Sequence, residues 1–292
     1  MTSRGQEVPR SARGPARVLV PCRLGSAGAI LPLVSPSLQR WVALRTYLSE
    51  DFLGGPKALK LSWVINFQKG GTLPFVLALM WATDTWTATA WTYLAMHGSY
   101  GLIWLLKDRV MPDPRWETPI TFGGAFMAFA LVLGPYWIAP VLLVVDDTQQ
   151  PAWLLAAAAM AYAVGVVVMM ASDAQKHFTL KVRRGLITTG FFARVRHPNY
   201  LGEMVLYAAF AVVAGHWIPW LVLAWVWLGL FLPNMLGKED SMSRYPEWAA
   251  YRARTGMLLP RLRPARDAAT GSGAASAGSV AAGATVPEDS MR

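Results

Sequence analysis

Stretches without a single charged side chain dominate the middle of this chain. Ile120 to Val145 and Ala152 to Ser172 are uncharged and reach the ~20 apolar residues that a bilayer span requires. Trp86 to Leu106 is uncharged as well, although threonines and His97 dilute it. Val205 to Leu236 is long enough for two spans, with Trp217-Ile-Pro-Trp220 as the turn between them. Lys60 to Thr83 is a weaker candidate, interrupted by Gln68-Lys-Gly-Gly71. The pattern predicts an all-α fold, a polytopic membrane helical bundle of about six spans.

Polar segments frame that bundle. Residues 1–45 are rich in Arg, Ser, Gly and Pro, with Glu7 as the only acid. They read as a basic arm, either disordered or targeting-like. Residues 264–292 are rich in Ala, Gly and Ser with no apolar period, and disorder is expected there. Between these ends, residues 46–263 form one membrane domain. In its last part Met242, Tyr245, Trp248, Ala249 and Tyr251 interleave with Arg244, Glu247 and Arg252. That spacing predicts a short amphipathic helix on the cytoplasmic membrane surface.

Composition narrows the function classes. The chain is 54% hydrophobic and 15% charged, with a formal net charge of +10. The basic residues do not sit on a soluble reading domain, so nucleic acid is not the expected partner. They gather in the N-terminal arm, between Lys176 and Arg196, and after Leu236. Lys107, Arg109 and Arg115 mark a further basic loop, whereas Asp84 and Asp146-Asp147 lie in connections without Lys or Arg. Basic residues beside spans mark the cytoplasmic side, which places both termini in the cytoplasm. Cys22 is the only cysteine, which excludes an internal disulfide or a Cys-built zinc site. The four histidines have no metal-ligand spacing, and no metal is expected.

The candidate chemistry lies in Gly190-Phe-Phe-Ala-Arg-Val-Arg-His-Pro-Asn-Tyr-Leu-Gly-Glu203, at the lip of the last apolar stretch. Arg194 and Arg196 suit phosphate or carboxylate, and Pro198 suits the first turn of a helix. The free N–H groups of such a turn favour an anion. Counting from Arg196 in threes and fours puts Asn199, Tyr200 and Glu203 on one helical face. Basic residues also flank spans simply to orient them. That explains Arg194 and Arg196, but not His197, Asn199 and Glu203 together.

Arg196-His-Pro-Asn-Tyr-Leu-Gly-Glu203, followed by Lys238-Glu-Asp-Ser-Met-Ser-Arg-Tyr-Pro-Glu-Trp-Ala-Ala-Tyr251 and Leu258-Leu-Pro260, resembles a known superfamily. It is similar to the steroid 5-alpha-reductase C-terminal type, which includes bacterial membrane proteins of unassigned function and the sterol C14/C7 reductases. The isoprenylcysteine carboxyl methyltransferases are more distant members. The resemblance covers roughly Asp173 to Leu262 and implies a cytoplasm-facing cofactor pocket that opens laterally to a lipid-like substrate. Asn199 and Glu203 match the reductase form, which implies NADPH with its nicotinamide end at these two residues. The resemblance further implies cofactor roles for Asp173, Lys181, Arg183, Arg184, Arg194, Arg196, His197 and Tyr200, and for Arg244 and Tyr245. Glu239 and Asp240 are similar to paired acids of the methyltransferase members, so S-adenosylmethionine is the alternative cofactor.

The chain departs from the steroid reductases in its first half. Aligning His97 with their histidine puts Ala95 where they carry a catalytic Tyr, and no intramembrane Glu precedes it. His97 and Tyr100, three apart on one helix, and Tyr93 are therefore the candidate catalytic residues. A purely structural reading competes with this one: Gly98, Ser99 and Gly101 pack a neighbouring helix closely while His97 makes a helix–helix hydrogen bond.

Overall fold

A computed structural model describes residues 35–261. The expected arm and tail lie outside the described residues, apart from the stretch up to residue 45, which is helical. Helix α1, Pro36–Glu50, starts where the Ser35 hydroxyl accepts from Leu38 N–H at 3.3 Å and proline opens the first turn. Six long helical stretches follow: α2, Leu61–Ala82; α3, residues 88–110; α4, Phe122–Val145; α5, Ala152–Val182; α6, Pro198–Ala214; and α7, Ile218–Met242. A final short helix, α8, spans Trp248–Arg254. The all-α expectation needs one amendment. Strands β1, Leu59–Lys60, and β2, Pro119–Ile120, pair antiparallel.

Helices α2 to α7 fall where the sequence predicts spans, and three of them, α4, α5 and α7, are long and apolar enough to cross a membrane. Polar residues turned inward keep α2 and α3 below that standard. Gln68, Lys69 and Thr72 are buried on α2, and His97 is buried on α3. Outward faces are apolar instead, with Trp63, Phe67 and Leu77 on α2, Phe126 on α4 and Val164 and Val167 on α5 all exposed. A water-facing helix would carry charge at such positions. The connection 146–151 meets the first turn of α3, just after the connection 83–87, where Gln150 N–H donates to Thr89 Oγ1 at 2.9 Å. Neither connection contains Lys or Arg.

Close helix contacts depend on glycine. A Cβ on Gly202 of α6 would stand 2.5 Å from Met169 N and 2.6 Å from Gly165 O of α5, so these helices touch backbone to backbone. On α3, a Cβ on Gly101 would overlap the carbonyl of Lys69. The packing expected around Gly98 and Gly101 is therefore present, and it seats α2 against α3 at Lys69.

Three helices contain a π turn: Leu94–Gly98 in α3, Phe129–Leu133 in α4 and Trp227–Phe231 in α7. Within two of them a carbonyl accepts an indole N–H, Leu131 O from Trp225 at 2.8 Å and Gly229 O from Trp41 at 2.7 Å. The second bond ties α1 to α7, and Arg45 reinforces it by donating to Asn234 Oδ1 at 3.0 Å.

The C-terminal segment differs from expectation. It folds back on the loop before α6 and buries Trp248 and Tyr251. Tyr251 donates to Phe192 O at 2.8 Å, Arg196 N–H to Gly256 O at 2.9 Å and His197 N–H to Met257 O at 3.1 Å. Backbone pairing with that loop, which the amphipathic pattern does not encode, fixes its place.

Candidate functional site

The face of α6 that carries Asn199, Tyr200, Glu203 and Tyr207 lines a cavity of about 1010 Å³. A rise of about 1.5 Å per residue puts Tyr207 about 12 Å deeper along the helix than Asn199. The cavity runs from the loop containing Asp113 and Arg115 to residues in the middle of α2 and α4. Both π turns of α4 and α7 contribute to its wall, through Val132 and Leu133 and through Leu230 and Phe231. Such turns are common where a helix is shaped for a site.

Seven basic side chains line the cavity against four acidic ones. Several are held in place. Lys107 pairs with Asp173 at 2.5 Å, and its ammonium lies 4.7 Å from the Trp104 ring. Arg115 grips Asp113 through Nε and Nη2 at 3.0 and 2.5 Å. Burial raises the Asp113 carboxyl, but the hydrogen bonds from the Arg115 side chain and backbone outweigh it and leave the pKa at about 2. Lys238 donates to Tyr200 OH at 3.1 Å.

Deeper in the cavity stands Lys69, only 4% exposed. Its ammonium donates to Tyr207 OH and lies 4.9 to 5.3 Å from the rings of Tyr100, Tyr207, Trp104 and Tyr136. Tyr136 stacks on Tyr207 with centroids 4.3 Å apart. Behind this pair a void of about 20 Å³ touches Tyr93, His97 and Phe210.

The sequence-predicted site residues separate into four groups. Asp173, Lys181, Asn199, Tyr200 and Glu203 line the cavity. Arg196, His197 and Glu239 form a buried cluster beside it. Arg196 donates from Nε to Glu239 Oε1 at 2.6 Å and from Nη1 to Thr255 O at 2.5 Å. His197 Nε2 is 3.5 Å from the same carboxylate oxygen. Burial pushes the His197 pKa down and Glu239 only partly restores it, so the ring is neutral at neutral pH. Arg196 and Glu239 staple the C-terminal segment to the loop before α6, whereas His197 Nε2 stands buried without a hydrogen-bond partner among the described residues.

Arg183, Arg184, Arg194, Asp240 and Arg244 are exposed and lie outside the cavity lining. Arg244 donates to Ser241 Oγ and to the half-buried Tyr245 hydroxyl. The three catalytic candidates also fall outside the main cavity. His97 Nδ1 is 3.0 Å from Tyr93 OH and its ring stacks on Phe210, while Tyr100 OH faces Met169 Sδ at 3.9 Å. Lys69 and Tyr207 stand at the cavity wall instead. Sequence reasoning missed Lys69, Lys107, Lys238 and Tyr207. A lysine inside an apolar stretch was the available signal, since an intramembrane charge marks function by default.

Residues 114–255 match the family described as a protein of unknown function, DUF1295. Two curated proteins of Schizosaccharomyces pombe, both described as uncharacterized, are similar to the chain. One is 32% identical over 93 residues, covering 30% of this chain and 27% of its own length. The other is 38% identical over 84 residues, covering 27% and 28%. The chain thus spans about a quarter of the length of these relatives. No solved structure matches it.

Proposed function

We propose that the chain is a membrane-embedded, NADPH-dependent reductase of a carbon–carbon double bond in a lipid-like substrate. The observation that carries this reading is the gradient inside one cavity. Cations crowd its loop end, Asn199 and Glu203 stand on the shared wall, and aromatic rings surround its inner part. Its volume reaches the top of the usual ~300–1,000 Å³ range for ligand sites, which suits a dinucleotide beside part of a lipid.

The residues present fit that cofactor. Arg115, Lys176 and Lys181 offer charge to phosphates, and the Asn199 amide with the Glu203 carboxylate complements a carboxamide, which both donates and accepts. When bound, NADPH supplies a hydride. The chain's own part is to orient the two partners and to exclude water, for which Trp104, Tyr136, Val132 and Phe231 supply the apolar wall. In this reading α2 to α7 all cross the bilayer, with the basic loops and the cavity mouth in the cytoplasm. The alternative, an S-adenosylmethionine-dependent methyltransferase, drew on Glu239 and Asp240. The first is committed to Arg196 and the second is exposed, so the reductase is the better supported.

The test is thermal unfolding of detergent-purified protein, because a ligand that binds only the folded state raises its stability by mass action. The expected result is a shift with NADPH and none with S-adenosylmethionine or its demethylated product. The reverse pattern overturns the reductase.

A further inference from the structure

We infer that Lys69 forms an oxyanion-receiving subsite, where its ammonium donates to a carbonyl-derived or carboxylate oxygen of a lipid-like ligand. Burying a cation is expensive unless an anion or a full set of acceptors compensates it. Lys107 and Arg196 each have a carboxylate partner within 2.6 Å. Lys69 has none: among the described residues no carboxylate comes within ion-pair distance, Glu203 acts on it only from farther off, and its direct contacts are one tyrosine hydroxyl and four ring faces. An ammonium carries three N–H donors, so two remain for a ligand oxygen.

The position supports the same conclusion. Lys69 lines the large cavity, whereas a lysine serving only helix packing gains nothing from facing it. An apolar residue would fill an aromatic cage of that kind at no desolvation cost. Glu203 lines the same cavity and acts electrostatically on Lys69, but it takes up none of the ammonium's remaining donors. The subsite therefore favours an oxygen delivered to Lys69 itself, on a ligand whose remaining surface meets Trp104, Tyr136 and Tyr207. Tyr207 acts here as a positioning residue that aims the ammonium.

This inference rests on the reductase reading for its substrate class, a double bond conjugated to a carbonyl. Hydride addition at the β-carbon moves the alkene electron pair onto the carbonyl oxygen, where Lys69 holds the charge. A proton from solvent, delivered to the α-carbon, completes the addition of one hydride and one proton, and NADPH is oxidised to NADP+. The oxygen receptor itself does not depend on the cofactor, so it is tested without one.

The probe is 2-dodecyl-4-nitrophenol, whose absorbance reports ionisation, titrated against the detergent-purified chain. Bound to the wild type, its ionised fraction is expected to exceed that in Lys69→Met at least tenfold, as an opposite charge a few ångströms away favours the anion. Tyr207→Phe should fall between them. Equal ionisation in wild type and Lys69→Met overturns the subsite.

Competition on the wild-type chain keeps the test decisive if Lys69→Met does not fold. Dodecanoate or a dodecyl enone is expected to displace the probe, and dodecyltrimethylammonium is not. Equal displacement by the cation overturns the proposal. Displacement by dodecanoate but not by the enone keeps the subsite and overturns the carbonyl-conjugated substrate. A Lys69-dependent signal in a chain whose unfolding ignores NADPH keeps the subsite and overturns the reductase.

Discussion

Buried cations carry different loads in this molecule. Arg196 is spent on Glu239 and on backbone carbonyls of the C-terminal segment, with both side chains at most 6% exposed. Removing one partner of such a pair leaves an uncompensated charge, so Glu239→Gln or Arg196→Met should cost about 3–5 kcal/mol in chemical unfolding. The double variant Arg196→Met/Glu239→Leu should lose less than the sum of the two. His197 beside them sets a pH dependence. Its folded pKa lies below the ordinary 6.5, so this contribution is full above pH 6.5 and lost as pH falls through the folded value. The unfolding midpoint of the wild type should thus drop more steeply below pH 6.5 than that of His197→Gln, and parallel curves would refute the assignment.

What the sequence disclosed at this scale depended on how local the signal was. Asn199, Tyr200 and Glu203 were legible because helical spacing alone puts them on one face, and that face lines the cavity. Arg196 stands in the same run of residues, yet its partner Glu239 is 43 residues away and only the fold joins them. Lys69 sat in plain view as an interruption of an apolar stretch. Its four aromatic neighbours come from α3, α4 and α6, which no reading of α2 by itself brings together.

Among elements, the apolar runs translated directly into helices, because a bilayer-length stretch without charge leaves the backbone little choice. The π turns did not announce themselves, nor did the return of the C-terminal segment onto the loop before α6. Both are settled by tertiary partners, indole N–H groups in one case and backbone pairing in the other. The glycine contact between α5 and α6 is a sensitive joint. Gly202→Val should force those helices apart and lower stability by about 1–3 kcal/mol, read as a fall in the thermal midpoint. The tie from Trp41 to the π turn of α7 is weaker. Losing one such hydrogen bond in Trp41→Phe should cost about 0.5–1.5 kcal/mol and speed hydrogen exchange in α1 selectively.

For the whole molecule, the decisive feature is that seven helices or their loops converge on one cavity, cationic at its loop end and aromatic within. Such an arrangement suits an amphiphilic pair of ligands, one charged and drawn from water, the other apolar and drawn from lipid. Glu203→Ala should erase the stabilisation given by NADPH while leaving unliganded unfolding nearly unchanged, since its carboxylate makes no hydrogen bond or close ion pair among the described residues. A variant that loses intrinsic stability but keeps the NADPH shift would assign Glu203 to the scaffold instead. The most direct measurement is a structure of the chain determined with NADPH. The account predicts the nicotinamide against Asn199 and Glu203, with its phosphates among Arg115, Lys176 and Lys181. Density for the cofactor anywhere else, or an unchanged cavity at saturating NADPH, would contradict it.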